Sequence, residues 1–275
     1  MARAQTAFQY YGSKARLAPW IIAQMTPHIA YVEPFAGSAA VLIAKEPVQY
    51  EVINDLDGNV VNFFRVLRDN ADELITALTF TPYARDELAH LSIAEPTADP
   101  VERARRFMAH MTMSFNGTNG YSFGPSAMGP KLRTQAKAPS MARRVDVTLR
   151  LVAQRLRNVE IENVDAFRLI DRYDRPQVTV YADPPYVMRT RTTSKGYAFD
   201  STDTDFHARL VKRLNEFSGE VVLSGYESSE YADLLNAHWT SVRRNVHAST
   251  GNAFGKARDK TRTEVLWIKR RDGGR

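Results

Sequence analysis

Asp183-Pro184-Pro185-Tyr186 is the most informative run in the chain. It follows directly on Val178 to Ala182, an apolar, β-branched run with the character of a buried strand. Two consecutive prolines cannot continue a central strand, because each lacks the ladder donor and has a fixed φ. The strand must stop there, which holds Asp183 rigidly at the top of a sheet. An ordinary strand-ending turn favours Gly, Asn or Ser and has no reason to add an aromatic ring after two prolines. Chemically, the Asp183 carboxylate and the Pro184 carbonyl are a pair of fixed acceptors for the two N–H groups of a planar amine. Taking both hydrogens favours a pyramidal nitrogen and frees a lone pair otherwise delocalised into a ring. Alignment and electrostatics can then carry the reaction with an electrophile, without a covalent intermediate.

Two further sites lie nearer the N-terminus. The run ending at Val32 continues into Glu33-Pro34-Phe35-Ala36-Gly37-Ser38, after which Ala39 to Lys45 has helical character. Small residues here let a ligand approach the backbone at the carboxyl edge of a parallel sheet. A single glycine in such a turn is weak support alone, since every fold of this kind needs a tight turn. The next strand ends in Asn54-Asp55, about 20 residues on, where nucleoside-binding α/β folds place an acid against ribose hydroxyls. Asp55 could instead cap the following helix, although Asp57 and Gly58 compete for that role.

The elements that must position these residues alternate. Strand-like runs at Ala30 to Glu33 and Glu51 to Asn54 are followed, after the middle of the chain, by Val159 to Glu162, Val178 to Ala182, Val221 to Ser224, Ser241 to Val246 and Glu264 to Ile268. The spacing predicts an α/β fold with a seven-stranded, mostly parallel sheet. A polar loop rather than a clear helix joins the last two runs, so they could pair as an antiparallel hairpin at one edge. Residues 70–157 change to helices, interrupted by a Gly/Ser/Asn/Pro-rich stretch from Asn116 to Pro139. This predicts an inserted helical subdomain over 70–157, with 1–69 and 158–275 forming the sheet domain. Between Lys131 and Arg157 lie Lys131, Arg133, Lys137, Arg143, Arg144, Arg150, Arg155 and Arg157 against a single acid, Asp146. That density suits either a solvated helix face or a phosphate-contacting surface.

Composition narrows the classes. The chain of 275 residues contains no cysteine, which excludes disulfides, thiolate metal sites and a cysteine nucleophile. A formal charge of +6 favours a polyanionic partner, though many basic enzymes have none. No apolar run approaches the roughly 20 residues of a membrane span, and no secretory h-region is present; a cytoplasmic protein is expected.

Asp183-Pro184-Pro185-Tyr186, Glu33-Pro34-Phe35-Ala36-Gly37 and Tyr10-Tyr11-Gly12-Ser13-Lys14 together resemble the Dam-like D12 class of N6-adenine-specific DNA methyltransferases. The resemblance covers nearly the whole chain and preserves the motif order. It implies a Rossmann-like methyltransferase sheet with an inserted helical target-recognition subdomain. The implied reaction moves the methyl group of S-adenosylmethionine to the exocyclic amine of a flipped-out adenine in double-stranded DNA. Cofactor contacts would fall on Tyr10, Lys14, Glu33, Phe35, Gly37, Asp55, Asp165, Phe167 or its neighbour Ala166, and Asp183. Catalysis would fall on Asp183, Pro184 and Tyr186, with Tyr186 as the platform on which the extruded base stacks. The chain departs from the glycine-rich first motif by carrying Ser38-Ala39-Ala40 after Gly37, a small-for-small change. Cytosine C5 methylation needs a cysteine nucleophile and is excluded.

DNA contacts are expected from Arg133, Lys137, Arg143, Arg144, Arg189, Lys256 and Arg258; Arg189 opens a stretch to Phe199 that suits a mobile loop or a simple linker, and Lys256 and Arg258 lie in the loop Ala248 to Arg262. No metal is expected, and the protein should be a monomer or dimerise weakly on DNA, in a bacterial or phage setting that includes restriction-modification. RNA adenine and protein glutamine methyltransferases also polarise a planar amine, but usually begin the tetrapeptide with Asn. A non-catalytic DNA-binding relative would not need Asp183, Tyr186, Lys14 and Asp55 all intact. A nicotinamide oxidoreductase should show G-x-G-x-x-G, which is missing.

Overall fold

The computed structural model describes residues 6–8, 10, 12–91, 97–114, 137–185, 204–226, 231, 238–247 and 261–271. Tyr186, Arg133, Arg189, Lys256 and Arg258 lie outside them, as does the side chain of Lys137. Among the described residues seven strands form one sheet: β1 (Ala30–Glu33), β2 (Tyr50–Asn54), β3 (Val159–Glu162), β4 (Val178–Ala182), β5 (Glu220–Tyr226), β6 (Trp239–His247) and β7 (Thr261–Lys269). Their order is β3-β2-β1-β4-β5-β7-β6. The pairs β1–β2, β1–β4, β2–β3 and β4–β5 are parallel, and β7 runs antiparallel to both β5 and β6. The anticipated edge hairpin is therefore present, with its second strand, β7, inserted next to β5.

All five residues of β4 are buried, as expected of a central parallel strand covered on both faces. β1 and β4 are neighbours whose chains depart toward opposite halves of the sheet. Their carboxyl ends thus flank the switch point at which open α/β sheets bind ligands. Glu33 ends β1 there, and Asp183 follows β4.

The helices are α1 (Ala18–Ile22), α2 (Ala40–Ala44), α3 (Gly58–Asp69), α4 (Ala71–Thr79), α5 (Arg85–His90), α6 (Pro100–Met113), α7 (Lys137–Arg143), α8 (Leu149–Leu156), α9 (Ala166–Arg172) and α10 (Thr204–Glu216), with a π-helical turn over Arg144–Thr148. Asp57 starts α3 by accepting from the Asn59 amide at 2.8 Å, and the apolar face of α3 is buried through Val60, Phe63, Phe64 and Leu67. On this side Tyr31, Ile53 and Ile161 of the sheet share one core with Phe63 of α3, Leu74 of α4, Phe107 of α6, and Leu149 and Leu156 of α8. Leu169 of α9 and Leu210 and Leu214 of α10 cover the opposite face, against Val32, Val180 and Val221. No helix among the described residues is long and apolar enough to cross a membrane.

Edge strand β3 is protected by arginines of α3. Arg65 and Arg68 donate to the carbonyls of Ile161 and Val159 at 3.0 and 3.1 Å, which blocks further strand pairing. Deeper in, Glu51 of β2 receives Lys45 at 2.9 Å and two guanidinium nitrogens of Arg155 at 2.5 and 2.8 Å. Arg155 is therefore a structural partner, not part of a free basic surface. Burial pushes the Glu51 carboxyl up, but the hydrogen bonds from Arg155 and Lys45 outweigh it and hold the group below the usual carboxylate range. Because its folded value is depressed, this carboxylate contributes stability above the normal carboxylate range, and the contribution is lost as pH falls through the folded value. Glu51→Gln, which strands two cations, should lower unfolding free energy by about 3–5 kcal/mol and remove part of the acid sensitivity. Denaturant melts of both proteins from neutral to acid pH would test this; a loss under about 1 kcal/mol would reduce the cluster to a surface-like pair.

Candidate active site

The turn after β1 begins where Pro34 ends the ladder. Gly37 has φ +48° and Ala39 φ +49°, so the chain bends sharply before α2. A Cβ on Gly37 would lie 3.0 and 3.2 Å from ring carbons of Tyr10, which covers the turn. Three strand ends are bound together by Asn54, only 1% exposed. Its amide nitrogen donates to Pro34 O at 3.0 Å and Val164 O at 3.1 Å, and its carbonyl accepts from Val164 N at 2.9 Å. One side chain thus fixes the turns that follow β1, β2 and β3.

Asp55 accepts from Gly37 N at 2.8 Å and Asp57 N at 2.9 Å. With Asp57 capping α3, Asp55 is left to face the pocket. Burial, only partly offset by the backbone bonds, pushes its carboxyl up to about 6. Glu33, 2% exposed, accepts from Tyr31 Oη at 3.0 Å and Leu42 N at 3.3 Å, and burial pushes it up to about 8.

The N-terminal segment reaches this place because Phe8 is driven into the core, edge-on to Phe63 and Phe107 at 5.1 Å each. Ser13 Oγ and Ser38 Oγ lie 2.8 Å apart, joining the segment to the turn. Lys14, 6% exposed, donates to Gly12 O at 3.1 Å and to Asp183 Oδ2 at 2.9 Å. Asp183 Oδ1 accepts from Ser224 Oγ at 3.2 Å.

One pocket gathers Tyr10, Lys14, Glu33, Phe35, Gly37, Asp55, Asp165, Ala166 and Asp183. Asp165 also caps α9, accepting from Phe167 N at 2.9 Å. Phe167 itself does not line the pocket. Its ring meets Phe206 edge-on at 5.7 Å and lies under the Arg209 guanidinium at 4.8 Å, while Ala166 and Phe206 form that wall. Pro185 lines the pocket, and Pro184 is buried next to Asp183. The sequence reading did not single out Ser13, Ser38, Leu56, Tyr181 and Phe206 of the lining, nor Ser224 behind it. Ser224 had one available signal, a hydroxyl on β5 at the level where Asp183 leaves β4.

Elsewhere, Arg143 is exposed at the end of α7 and Arg144 opens the π-helical turn. Arg150 is exposed and reaches Asp72 at 2.7 Å, a surface pair of the kind worth at most about 1 kcal/mol. No group of three or more His, Cys, Asp or Glu able to hold a metal occurs among the described residues.

A doubly wound sheet with acidic side chains at the switch point, beside a glycine turn, is the architecture of a nucleoside-handling α/β enzyme. The family model for D12 class N6 adenine-specific DNA methyltransferases matches residues 10–248, and the chain belongs to that family. It is a DNA adenine methyltransferase. Type II methyltransferase M1.LlaDCHI of Lactococcus lactis subsp. cremoris is 26% identical over 267 residues, covering 89% of this chain and 90% of that protein. Type II methyltransferase M.MjaIII of Methanocaldococcus jannaschii is 25% identical over 217 residues, 70% and 72% of the two chains. The crystal structure of TrmN from Thermus thermophilus superposes with a TM-score of 0.39 at 12% identity; the match covers 92% of this chain and 48% of that one, so this chain spans about half its length.

The crowding at Gly37 gives a direct test. Gly37→Ala adds a left-handed backbone penalty of about 1–2 kcal/mol and a clash with the Tyr10 ring. In a Tyr10→Ala background the clash disappears and only the backbone part should remain. Equal destabilisation in the two backgrounds, measured by chemical denaturation, would show that Tyr10 does not press on the turn.

Proposed function

We propose that this pocket binds S-adenosylmethionine and presents it to an adenine extruded from double-stranded DNA, with Asp183 as the side-chain acceptor for the target amine. The observation that carries the reading is the meeting of Asp55, Asp165 and Asp183 in one pocket at the β1–β4 switch point. The donor set fits the ligand. A carboxylate has about four lone-pair sites, so Asp55 can accept from ribose hydroxyls while keeping its bonds to Gly37 and Asp57. Asp165 can accept from an exocyclic amine, and the glycine turn admits close approach of the backbone. Glu33 also lines the pocket, and a cationic ligand group beside it would favour its ionised form.

When bound, the sulfonium supplies an electrophilic methyl group. Asp183 and the Pro184 carbonyl would accept hydrogen bonds from the two amine N–H groups and so aim the nitrogen lone pair at that methyl. Transfer of the methyl group from sulfur to that nitrogen would leave the amine cationic, and the proton it then sheds would pass to the Asp183 carboxylate that already accepts its hydrogen bond. Tyr186 stacks on the extruded base and offsets part of the unpairing cost.

The helices over 70–157 act as the target-recognition subdomain inserted between 1–69 and 158–275. Arg133, Lys137, Arg143, Arg144, Arg189, Lys256 and Arg258 contact phosphates and bases. Both type II relatives support a site-specific enzyme of the restriction-modification kind. The protein works in the cytoplasm as a monomer or a weak dimer on DNA.

Asp183→Ala should abolish methylation of duplex DNA and leave S-adenosylmethionine binding measurable by calorimetry; transfer near the wild-type rate would overturn the mechanism. Asp55→Ala should do the reverse, weakening cofactor binding by about 1–3 kcal/mol with little change in DNA affinity. An unchanged cofactor dissociation constant would assign Asp55 to bracing the glycine turn alone.

A further inference from the structure

Two prolines fix the backbone after Asp183, but they do not fix the carboxylate. The Cβ–Cγ torsion of aspartate joins sp³ and sp² carbons, and its energy surface is broad and roughly two-fold. Something else must set the plane in which the carboxylate oxygens lie. Lys14 holds Oδ2, and Ser224 holds Oδ1.

Ser224 stands on β5 one residue beyond Leu223, which pairs with Ala182 of β4, so it faces Asp183 across the strand pair. It is fully buried. Its single proton goes to Asp183, and its lone pair accepts from Tyr181 Oη at 3.3 Å. Tyr181, two residues before Asp183 on the same face of β4, is 1% exposed. Burial foremost, and next the Asp183 charge, raise its phenol well above the usual tyrosine range, so it acts as a donor. The chain Tyr181–Ser224–Asp183 therefore has one polarity, and the serine hydroxyl cannot turn away without orphaning a buried phenol.

We propose that Ser224 is a positioning residue for the reaction, and that Tyr181 acts through it: the relay locks the torsion of the Asp183 carboxylate so that one oxygen meets the incoming amine. This rests on the reading of Asp183 as the amine acceptor.

The test uses the full-length protein, S-adenosylmethionine and a duplex carrying its target site, with single-turnover rates at saturating substrates. Ser224→Ala should lower the methyl-transfer rate by about 10- to 100-fold, the range for a lost hydrogen bond to a charged group. KM for S-adenosylmethionine should stay within about two-fold of the parent, since alignment rather than uniform binding is lost. Tyr181→Phe should cost less than Ser224→Ala.

The double variant separates positioning from structure. Ser224→Ala alone leaves the Tyr181 phenol unsatisfied, and adding Tyr181→Phe removes that burden. The double variant should therefore melt at a higher temperature than Ser224→Ala while transferring methyl groups equally slowly. A rate that recovers with stability in the double variant would make Ser224 merely structural, and a Ser224→Ala rate within about two-fold of wild type would overturn the proposal outright. Asp183→Ala, run in parallel, distinguishes the two levels: if it keeps full activity the acceptor reading itself fails, whereas an inactive Asp183→Ala beside an unimpaired Ser224→Ala refutes the inference alone.

Discussion

The contact between Lys14 and Asp183, at 2.9 Å across 169 residues of sequence, is the interaction on which the site depends. It requires the chain's N-terminal segment to lie over the carboxyl end of β4. A largely buried ion pair gains little net stability, because desolvating both groups offsets most of the attraction. Its effect is geometric. Lys14 also donates to Gly12 O, so its ammonium is tied to its own turn as well as to Asp183. The position of the carboxylate thereby becomes coupled to the fold of residues 10–14.

That segment is held in place by apolar packing. Phe8 enters a cluster with Phe63, Phe64 and Phe107, drawn from α3 and α6. Tyr10 then caps the Gly37 turn, and the Ser13–Ser38 hydroxyl pair closes the gap that follows. Helix α6 thus serves the pocket without lining it. It does so a second time through Arg103, which donates to Asn59 Oδ1 at 2.8 Å beside the Asp55–Gly58 turn. A displacement of α6 would be felt both at the segment that covers the Gly37 turn and at the Asp55–Gly58 turn.

What the sequence makes legible is what is local. Period and β-branching mark the strands, two prolines mark the end of β4, and an acid closing the next strand marks Asp55. The arrangement of β7 between β5 and β6 was not legible, because a hairpin can dock on a sheet edge through either of its strands and the strand runs alone do not say which. Asp55 and Asp57 could not be assigned cap and pocket roles from types alone; the bond from the Asn59 amide decides it. Arg155 belonged by spacing to a basic run, yet its guanidinium turns inward to Glu51, 104 residues away. Phe206 has an ordinary sequence context and is brought to the site by the packing of α10, while the lone signal of Ser224, a hydroxyl near the end of β5, acquires meaning only once β5 is paired with β4.

The acids of the fold divide by how they are matched. Glu51 has two cations of its own, and its folded carboxyl lies below the usual range. Glu33 and Asp55 form no ion pair among the described residues, and burial lifts both carboxyls, to about 8 and about 6. The consequences for folding have opposite signs. Glu51 contributes stability above the carboxylate range. Glu33 and Asp55 withdraw it as pH rises from their unfolded values to their folded ones, since the folded state then holds protons that the unfolded chain has released. A chain selected for stability alone would give these two groups cations or replace them with apolar residues. Their hydrogen bonds from Tyr31, Leu42, Gly37 and Asp57 orient them without offsetting the cost of ionising them. A ligand that brings hydroxyl donors to Asp55 and positive charge toward Glu33 supplies what the fold withholds. Ribose hydroxyls at Asp55 and a sulfonium charge near Glu33, the groups of the proposed cofactor, would each lower the cost of ionising these buried carboxyls.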